Sequence, residues 1–342
     1  MYSFYLLVGV SDLLSDEYRS RWFMEEDLPF FIEGLNKELW DEYNNKVFKW
    51  KFQEDPFNLG FTSIVVIEHI PTHEPVAFNS FLPLQVRARN TIFLCLQGFD
   101  GFVDKSHRRR GLFQRSIRFL IQEMRGKAPE ILIGFNLIEA AKAAEKAGSE
   151  ITCDIERLKL SLDSLNKFGT YKGVLMEPVG VNEVSRLYEK WASENQLIHF
   201  HRSRPYLEWR ISHPVREQFP YRCIVNDVIR GYIVVDLVKE NKGWSLTIND
   251  YSPGLLEDYL KEVVSNLKNL HPDIVSLDLI ARRKSRLHEK TTITGFSSEP
   301  IHKVIMTALY NSKQEAGSVY RGSSKSQILK TGTLQQTTST KT

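Results

Sequence analysis

Apolar positions along this chain change period repeatedly, and each change predicts an element. Residues 61–70 (FTSIVVIEHI), 75–86 (PVAFNSFLPLQV) and 90–103 (NTIFLCLQGFDGFV) are β-branched and aromatic with turn residues between them, which predicts three strands, with His73-Glu74-Pro75 as a hairpin tip. The period then lengthens. Phe113, Ile117, Leu120, Ile121 and Met124 fall on one face of a helix, while Arg115, Arg118, Gln122 and Arg125 fall largely off it. Lys127-Ala128-Pro129 stops that helix, because a residue before proline avoids helical angles. A short strand (EILIGF) and an alanine-rich helix (IEAAKAAEKA) follow, with Gly148 as the C-terminal stop. Residues 15–52, aromatic and acidic, read as helical, and the apolar start MYSFYLLVGV reads as a first strand rather than a signal peptide.

The second half echoes the first. FKWKFQEDP at 48–56 resembles LEWRISHP at 207–214: tryptophan, a basic residue, an apolar residue and soon a proline. Strand candidates follow at similar distances (YRCIVNDVI, RGYIVVDLV, GWSLTINDY), then a helix over 254–270 and a strand over 273–280. The expected fold is therefore α/β (α+β), two mixed-sheet units of related topology in tandem. The expected boundaries are 1–160, 161–322 and a disordered tail over 323–342, in a stretch dominated by Ser, Thr, Lys, Gln and Gly.

Composition sharpens this only a little. The 342 residues are 42% hydrophobic and 25% charged, a soluble globular balance, and the net charge of +3 gives no global case for nucleic acid. Cys95, Cys153 and Cys223 are odd in number and widely spaced, so neither a metal site nor a disulfide framework follows. No run approaches the roughly 20 apolar residues of a membrane span, and a cytoplasmic location is the default.

The charge that matters is local. Arg108-Arg109-Arg110-Gly111-Leu112-Phe113 follows a strand and opens a helix. First-turn amides lack internal partners, the helix dipole favours an anion there, and a glycine lets a phosphate approach closely. Arginines add charge-assisted bonds, so the stretch reads as a pyrophosphate site. It lacks the spacing of a Walker A loop and the glycines of a dinucleotide fingerprint. The competing readings are a solvated basic helix start and a nucleic-acid patch. The preceding strand argues against the first and the buried helix face against the second. Gly98 and Gly101 inside the preceding strand suggest a bulge or close approach by a ligand. His107, within the basic run, reads as a phosphate or loop contact.

Taken together, VDKSHRRRGLF between two strands and GFNLIEAAKAAEKAG after them resemble the acyl-CoA-binding core of the GNAT acyltransferase superfamily. Arg108 and Gly111 match that family's loop signature, with Phe113 in place of a small residue, and Asn136 and Gly148 match its second segment. The resemblance implies coenzyme A as co-substrate, held by Arg108, Arg109, Arg110, Gly111, Leu112, Phe113 and Gln114, with main-chain groups near Phe102 and Val103 on the pantetheine arm and Asn136 nearby. The repeated W-K-F and W-R-I segments resemble a subgroup with two such units, of which only the first carries an arginine–glycine loop, so one CoA site is expected. Ala144 stands where many members have a tyrosine acid for the leaving thiolate.

Asp100 and His201 are the candidate proton acceptors. HFHRSRPYLEWR, at 199–210, gathers His199, Arg202, Arg204, Tyr206 and Arg210, rings beside guanidiniums that suit a nucleotide, and Asn79 joins this candidate acceptor-binding set. The same stretch also reads as a helix start, with Ser203 as cap, Pro205 in the first turn and Trp209 in the core. The resemblance extends to enzymes that acylate a dTDP-linked 3-amino-3,6-dideoxyhexose in O-antigen and other surface-polysaccharide synthesis. Two rivals are an aminoacyl transferase like the peptidoglycan-bridge ligases and a non-catalytic acyl-CoA sensor. No metal is expected.

Overall fold

The computed structural model describes residues 17–308, apart from 39–42, 126, 128, 130, 170, 172, 196, 241–242 and 299–301. The apolar start and the polar tail lie outside the described residues. In chain order the first half carries β1 (Tyr18–Trp22), α1 (Leu28–Glu38), α2 (Asn45–Phe52), β2 (Ile64–His69), β3 (Glu74–Ala88), β4 (Thr91–Val103), α3 (Leu112–Glu123), β5 (Ile131–Asn136), α4 (Ile138–Lys146) and β6 (Glu150–Ser161). The second half carries α5 (Leu162–Leu165), β7 (Val174–Pro178), α6 (Val181–Glu194), β8 (Ile198–Phe200), α7 (Arg204–Ile211), β9 (Glu217–Val225), β10 (Val228–Glu240), β11 (Gly243–Tyr251), α8 (Leu255–Leu270), β12 (Ile274–Arg282), α9 (Arg286–Thr294), β13 (Ser297–Ser298) and β14 (His302–Ala308).

These strands form one sheet in the order β1-β2-β3-β4-β5-β14-β6-β12-β11-β10-β9-β7, with β8 added to β3 and β13 to β6. The predicted strands and the amphipathic α3 are present. The stretch read as wholly helical is not: Tyr18–Trp22 is an edge strand on β2, because Arg19 and Arg21 both reach across to Glu68 at 2.9 Å.

The duplication is visible as paired geometry. In the first half β4 lies antiparallel to β3 and parallel to β5. In the second β11 lies antiparallel to β10 and parallel to β12. Each β3–β4-type pair slips by one residue, leaving Asp100 in the first and Asn249 in the second as the extra residue of a bulge. The helix after each splayed strand opens on a left-handed glycine, Gly111 at φ 72° and Gly254 at φ 87°. The halves share their closing strands. β14 pairs with β5 and β6, whereas β6 pairs with β14 over one half of its length and with β12 over the other.

Where the halves meet, Trp50 and Trp209 stack with centroids 4.5 Å apart and planes 9° from parallel. Each indole N–H donates to the other residue's carbonyl, at 2.9 Å from Trp50 and 2.8 Å from Trp209. The repeated tryptophan is thus the joint between the halves.

Candidate active site

The site begins where β4 and β5 part. Their parallel pairing runs only from Cys95–Ile131 to Gly98–Gly134, and β4 continues to Val103 without β5. Residues 99–103 therefore turn one backbone edge toward an opening, with the bulge at Asp100 in the middle. Asp100 has φ 34°, and Ser80 Oγ holds its carbonyl at 3.1 Å. At Gly101 a Cβ would touch Phe113 at 3.4 Å and the Asn79 side chain at 3.5 Å, so α3 presses close on this strand. Asn79 is buried and donates to Ser116 Oγ on α3 at 3.2 Å, a tie that holds helix to strand. The Phe102 ring packs among Phe30 and Phe78, which leaves only its main chain for the opening.

The loop above this strand carries Arg108 to Gly111. Asp104 caps a short 3-10 turn over Lys105–His107. Arg109 and Gly111 both take left-handed angles, and the first intrahelical bond of α3 runs from the Arg115 amide to the Gly111 carbonyl at 3.0 Å. The amides of Leu112, Phe113 and Gln114 precede it, at the positive end of a helix. Arg108, Arg109 and Arg110 are exposed beside them. Arg108 Nε donates to the Val103 carbonyl at 2.9 Å, and Arg110 approaches Glu17 at 3.6 Å. The Leu112 side chain is buried in the core, and Gln114 donates to the Lys146 carbonyl at 3.2 Å. His107 meets the Tyr18 hydroxyl at 2.9 Å, and burial, with His69 and Arg110 nearby, holds its imidazole below the usual range. Asn136 ends β5, with its side-chain oxygen set against Gly134 where a Cβ would not fit. Ala144 is fully buried, and its methyl group offers no proton donor at this position.

Beneath the opening is a cavity of about 190 Å³, lined by Trp50, Lys51, Leu82, Gln97, Gly98, Phe99, Asp100, Phe135, Tyr206, Trp209 and Arg210. Lys51 Nζ donates to Asp100 Oδ2 at 2.6 Å and lies 4.5 Å from the Phe99 ring centroid. Burial drives the Lys51 ammonium pKa down, and Asp100 opposes that shift. A larger groove of about 900 Å³ runs past Trp22, Phe48, Phe61 and Met124 at the far end of α3. Twelve helical residues, roughly 18 Å, separate it from Gly111.

The predicted acceptor cluster divides. Tyr206 and Arg210 line the cavity. Arg202 is buried and paired with Asp250 at 2.5 Å, and Arg204 pairs with Glu208 at 2.8 Å on the exposed face of α7. His199 and His201 both bond the Tyr188 hydroxyl at 2.9 Å. His199 Nδ1 donates to the Leu197 carbonyl at 3.0 Å, so its Nε2 accepts from Tyr188 and His201 must donate to the tyrosine oxygen. Burial lowers both imidazoles, His199 to about 4. Ser203 does cap α7, accepting from the Tyr206 amide at 3.5 Å.

Lys51 was missed as a site residue, although the sequence signal was present: a basic residue follows the tryptophan in both repeats. The helix of the second half that corresponds to α3 is α8, entered through Tyr251-Ser252-Pro253-Gly254, which has a glycine but no arginine. The basic stretch at 282–286 lies between β12 and α9 instead.

No family model and no curated protein matches this sequence. Solved structures do match. A GCN5-related N-acetyltransferase from Anabaena variabilis aligns over 85% of this chain and 73% of its own, at 13% identity and a TM-score of 0.60. The chain has the GCN5-related N-acetyltransferase fold. A second such protein, from Kribbella flavida, aligns over 87% of this chain and 72% of its own, at 12% identity and a TM-score of 0.57. The Saccharomyces cerevisiae N-myristoyltransferase, solved with myristoyl-CoA and inhibitors, aligns over 94% of this chain and 86% of its own, at 11% identity and a TM-score of 0.59. This N-acetyltransferase fold covers both halves of the chain. Among the described residues no helix is long and apolar enough to cross a membrane, and no group of His, Cys, Asp and Glu is placed to hold a metal.

Proposed function

We propose that this chain is an acyl-CoA-dependent N-acyltransferase with one CoA site, in its first half. The observation that carries the reading is the parted β4–β5 pair beneath the glycine-capped start of α3. Amides of Leu112 to Gln114, with the arginines beside them, receive the pyrophosphate. The free edge of β4 runs alongside the pantetheine arm and delivers the thioester to the cavity. There the acceptor amine attacks the carbonyl carbon, main-chain donors of β4 hold the oxyanion, and the C–S bond breaks to release CoA thiolate. Asp100 takes the proton lost by the attacking nitrogen, and Lys51 keeps that carboxylate aimed into the cavity. No side chain at position 144 protonates the thiolate, which is tolerable for a thiol with a pKa of about 8.5 by analogy with cysteine.

For the acceptor, the resemblance implies a nucleotide-linked amino sugar, and the ring of Tyr206 and the guanidinium of Arg210 support it as cavity walls. Arg202 and Arg204 already hold carboxylates, which shifts the weight of anion recognition onto Arg210. Release of CoA thiol, followed across several acyl-CoAs with dTDP-linked amino sugars and simple amines, tests both layers of the reading. Turnover with any amine establishes the transferase. Tight CoA binding with no turnover on any of them supports the sensor instead.

A further inference from the structure

The small cavity lies between the Trp50–Trp209 joint and the sheet, and one residue of the sheet differs in kind from its neighbours. Leu82, Gln97 and Ile133 stand side by side on β3, β4 and β5, so their side chains share a face. Ile133 is buried in the apolar cluster that holds both tryptophans, and Leu82 packs against that cluster. Gln97 occupies the middle of the row. Its main chain is committed to the strands on both sides, so the 7% of the residue that stays exposed belongs to its side chain, which lines the cavity. Its amide atoms are not sealed off, and among the described residues they have no hydrogen-bond partner.

Neighbouring polar groups are already engaged. The two indole N–H groups are spent on each other's carbonyls, and Lys51 is bound to Asp100 at 2.6 Å. The Phe99 and Phe135 rings line the same cavity. A carboxamide set among such walls is costly unless something polar meets it.

The place of Gln97 along β4 says which part of a ligand that is. β4 and β5 are paired as far as Gly98–Gly134 and part beyond it. An arm that descends the free edge from Val103 to Phe99 runs out where this pairing closes, and Gln97 stands at the closed end. On the acyltransfer reading, on which this inference rests, the portion of acyl-CoA beyond the thioester is what reaches that end. At about 190 Å³ the cavity suits a short acyl chain.

We propose that Gln97 selects a short acyl group that carries a hydroxyl. A hydroxyl can donate to its Oε1 or accept from its Nε2, whereas an alkyl chain of the same length leaves the amide unmet.

Calorimetry tests this without an acceptor. Lactoyl-CoA and 3-hydroxypropionyl-CoA are titrated against propionyl-CoA, and 3- and 4-hydroxybutyryl-CoA against butyryl-CoA. At least one hydroxyacyl thioester should bind about tenfold or more tightly than its alkyl counterpart. Gln97→Met keeps the length of the side chain and replaces the amide with an apolar end, so it should abolish that preference. It should also melt no lower than the wild type without ligand, because it removes an unmet polar group. No hydroxyl preference at any position, or one that survives Gln97→Met, overturns the proposal. So does a marked fall in the melting temperature of Gln97→Met, which would mean that an ordered water or the fold itself already engages the amide. Absent binding of CoA itself would overturn the acyl-CoA reading and this proposal with it. Binding of CoA and of the alkyl thioesters without a hydroxyl preference would overturn this proposal alone.

Discussion

Replacing Trp209 with Phe tests the joint between the halves. The change removes the N–H that satisfies the Trp50 carbonyl at 2.8 Å and leaves that carbonyl buried, at a cost of about 1–3 kcal/mol. The smaller ring also gives up apolar contact worth about 1 kcal/mol. Trp50→Phe should cost less, about 1–2 kcal/mol, because the Trp209 carbonyl keeps the Ser212 amide at 3.2 Å and the Ser212 hydroxyl at 2.9 Å as donors. The double variant should be less destabilised than the sum, by about 0.5–1.5 kcal/mol, since each single change already spoils the stack. Urea unfolding followed by far-ultraviolet circular dichroism measures all three without relying on the altered indoles. A Trp209→Phe effect below about 1 kcal/mol, or a coupling below about 0.3 kcal/mol, would refute the stacked joint.

Gly111→Val should lower CoA affinity at least about tenfold by calorimetry, since a β-branched residue at φ 72° is strained and its side chain would crowd the bound phosphate; unchanged affinity would remove the phosphate site from this loop. Asp100→Asn should slow turnover by about 100-fold or more with little change in CoA affinity, and a rate and pH profile like the wild type's would make the carboxylate structural. Stability should fall on acidification. The unfolded chain protonates His199 and His213 near 6.5, whereas burial holds them to about 4 and about 2 in the folded chain, so the unfolded state binds more protons below 6.5. Each contributes a slope of about 1.4 kcal/mol per pH unit between pH 6 and 4, and His213→Gln should remove its share, which unfolding curves at several pH values would check.

The three strands around Asp100 and the helix after Gly111 were legible because their apolar periods differ and glycines mark the transitions. The bulge was foreshadowed by Gly98 and Gly101 flanking it. Other features depend on partners remote in sequence. Nothing local in Tyr18–Trp22 announces a strand, because its pairing with β2 and the Glu68 ion pairs define it. The cluster at 199–210 contained the right residue types, but whether an arginine faces the cavity or a neighbouring carboxylate depends on Asp250 and Glu208. The role of Lys51 becomes visible only when α2 is set against the bulge of β4.

The shared closing strands also bear on synthesis. β14 fills the place between β5 and β6, yet Lys303 and its partner Asn136 are more than 150 residues apart in the chain. Until that strand leaves the ribosome, the parallel pair that shapes the proposed CoA opening has an uncovered edge on β5. Such an edge invites pairing with another nascent chain. Long-range closure of this kind should also make the final folding step slow. Truncation before β14 should therefore expose the first half to aggregation, even though every residue of the arginine–glycine loop is already present.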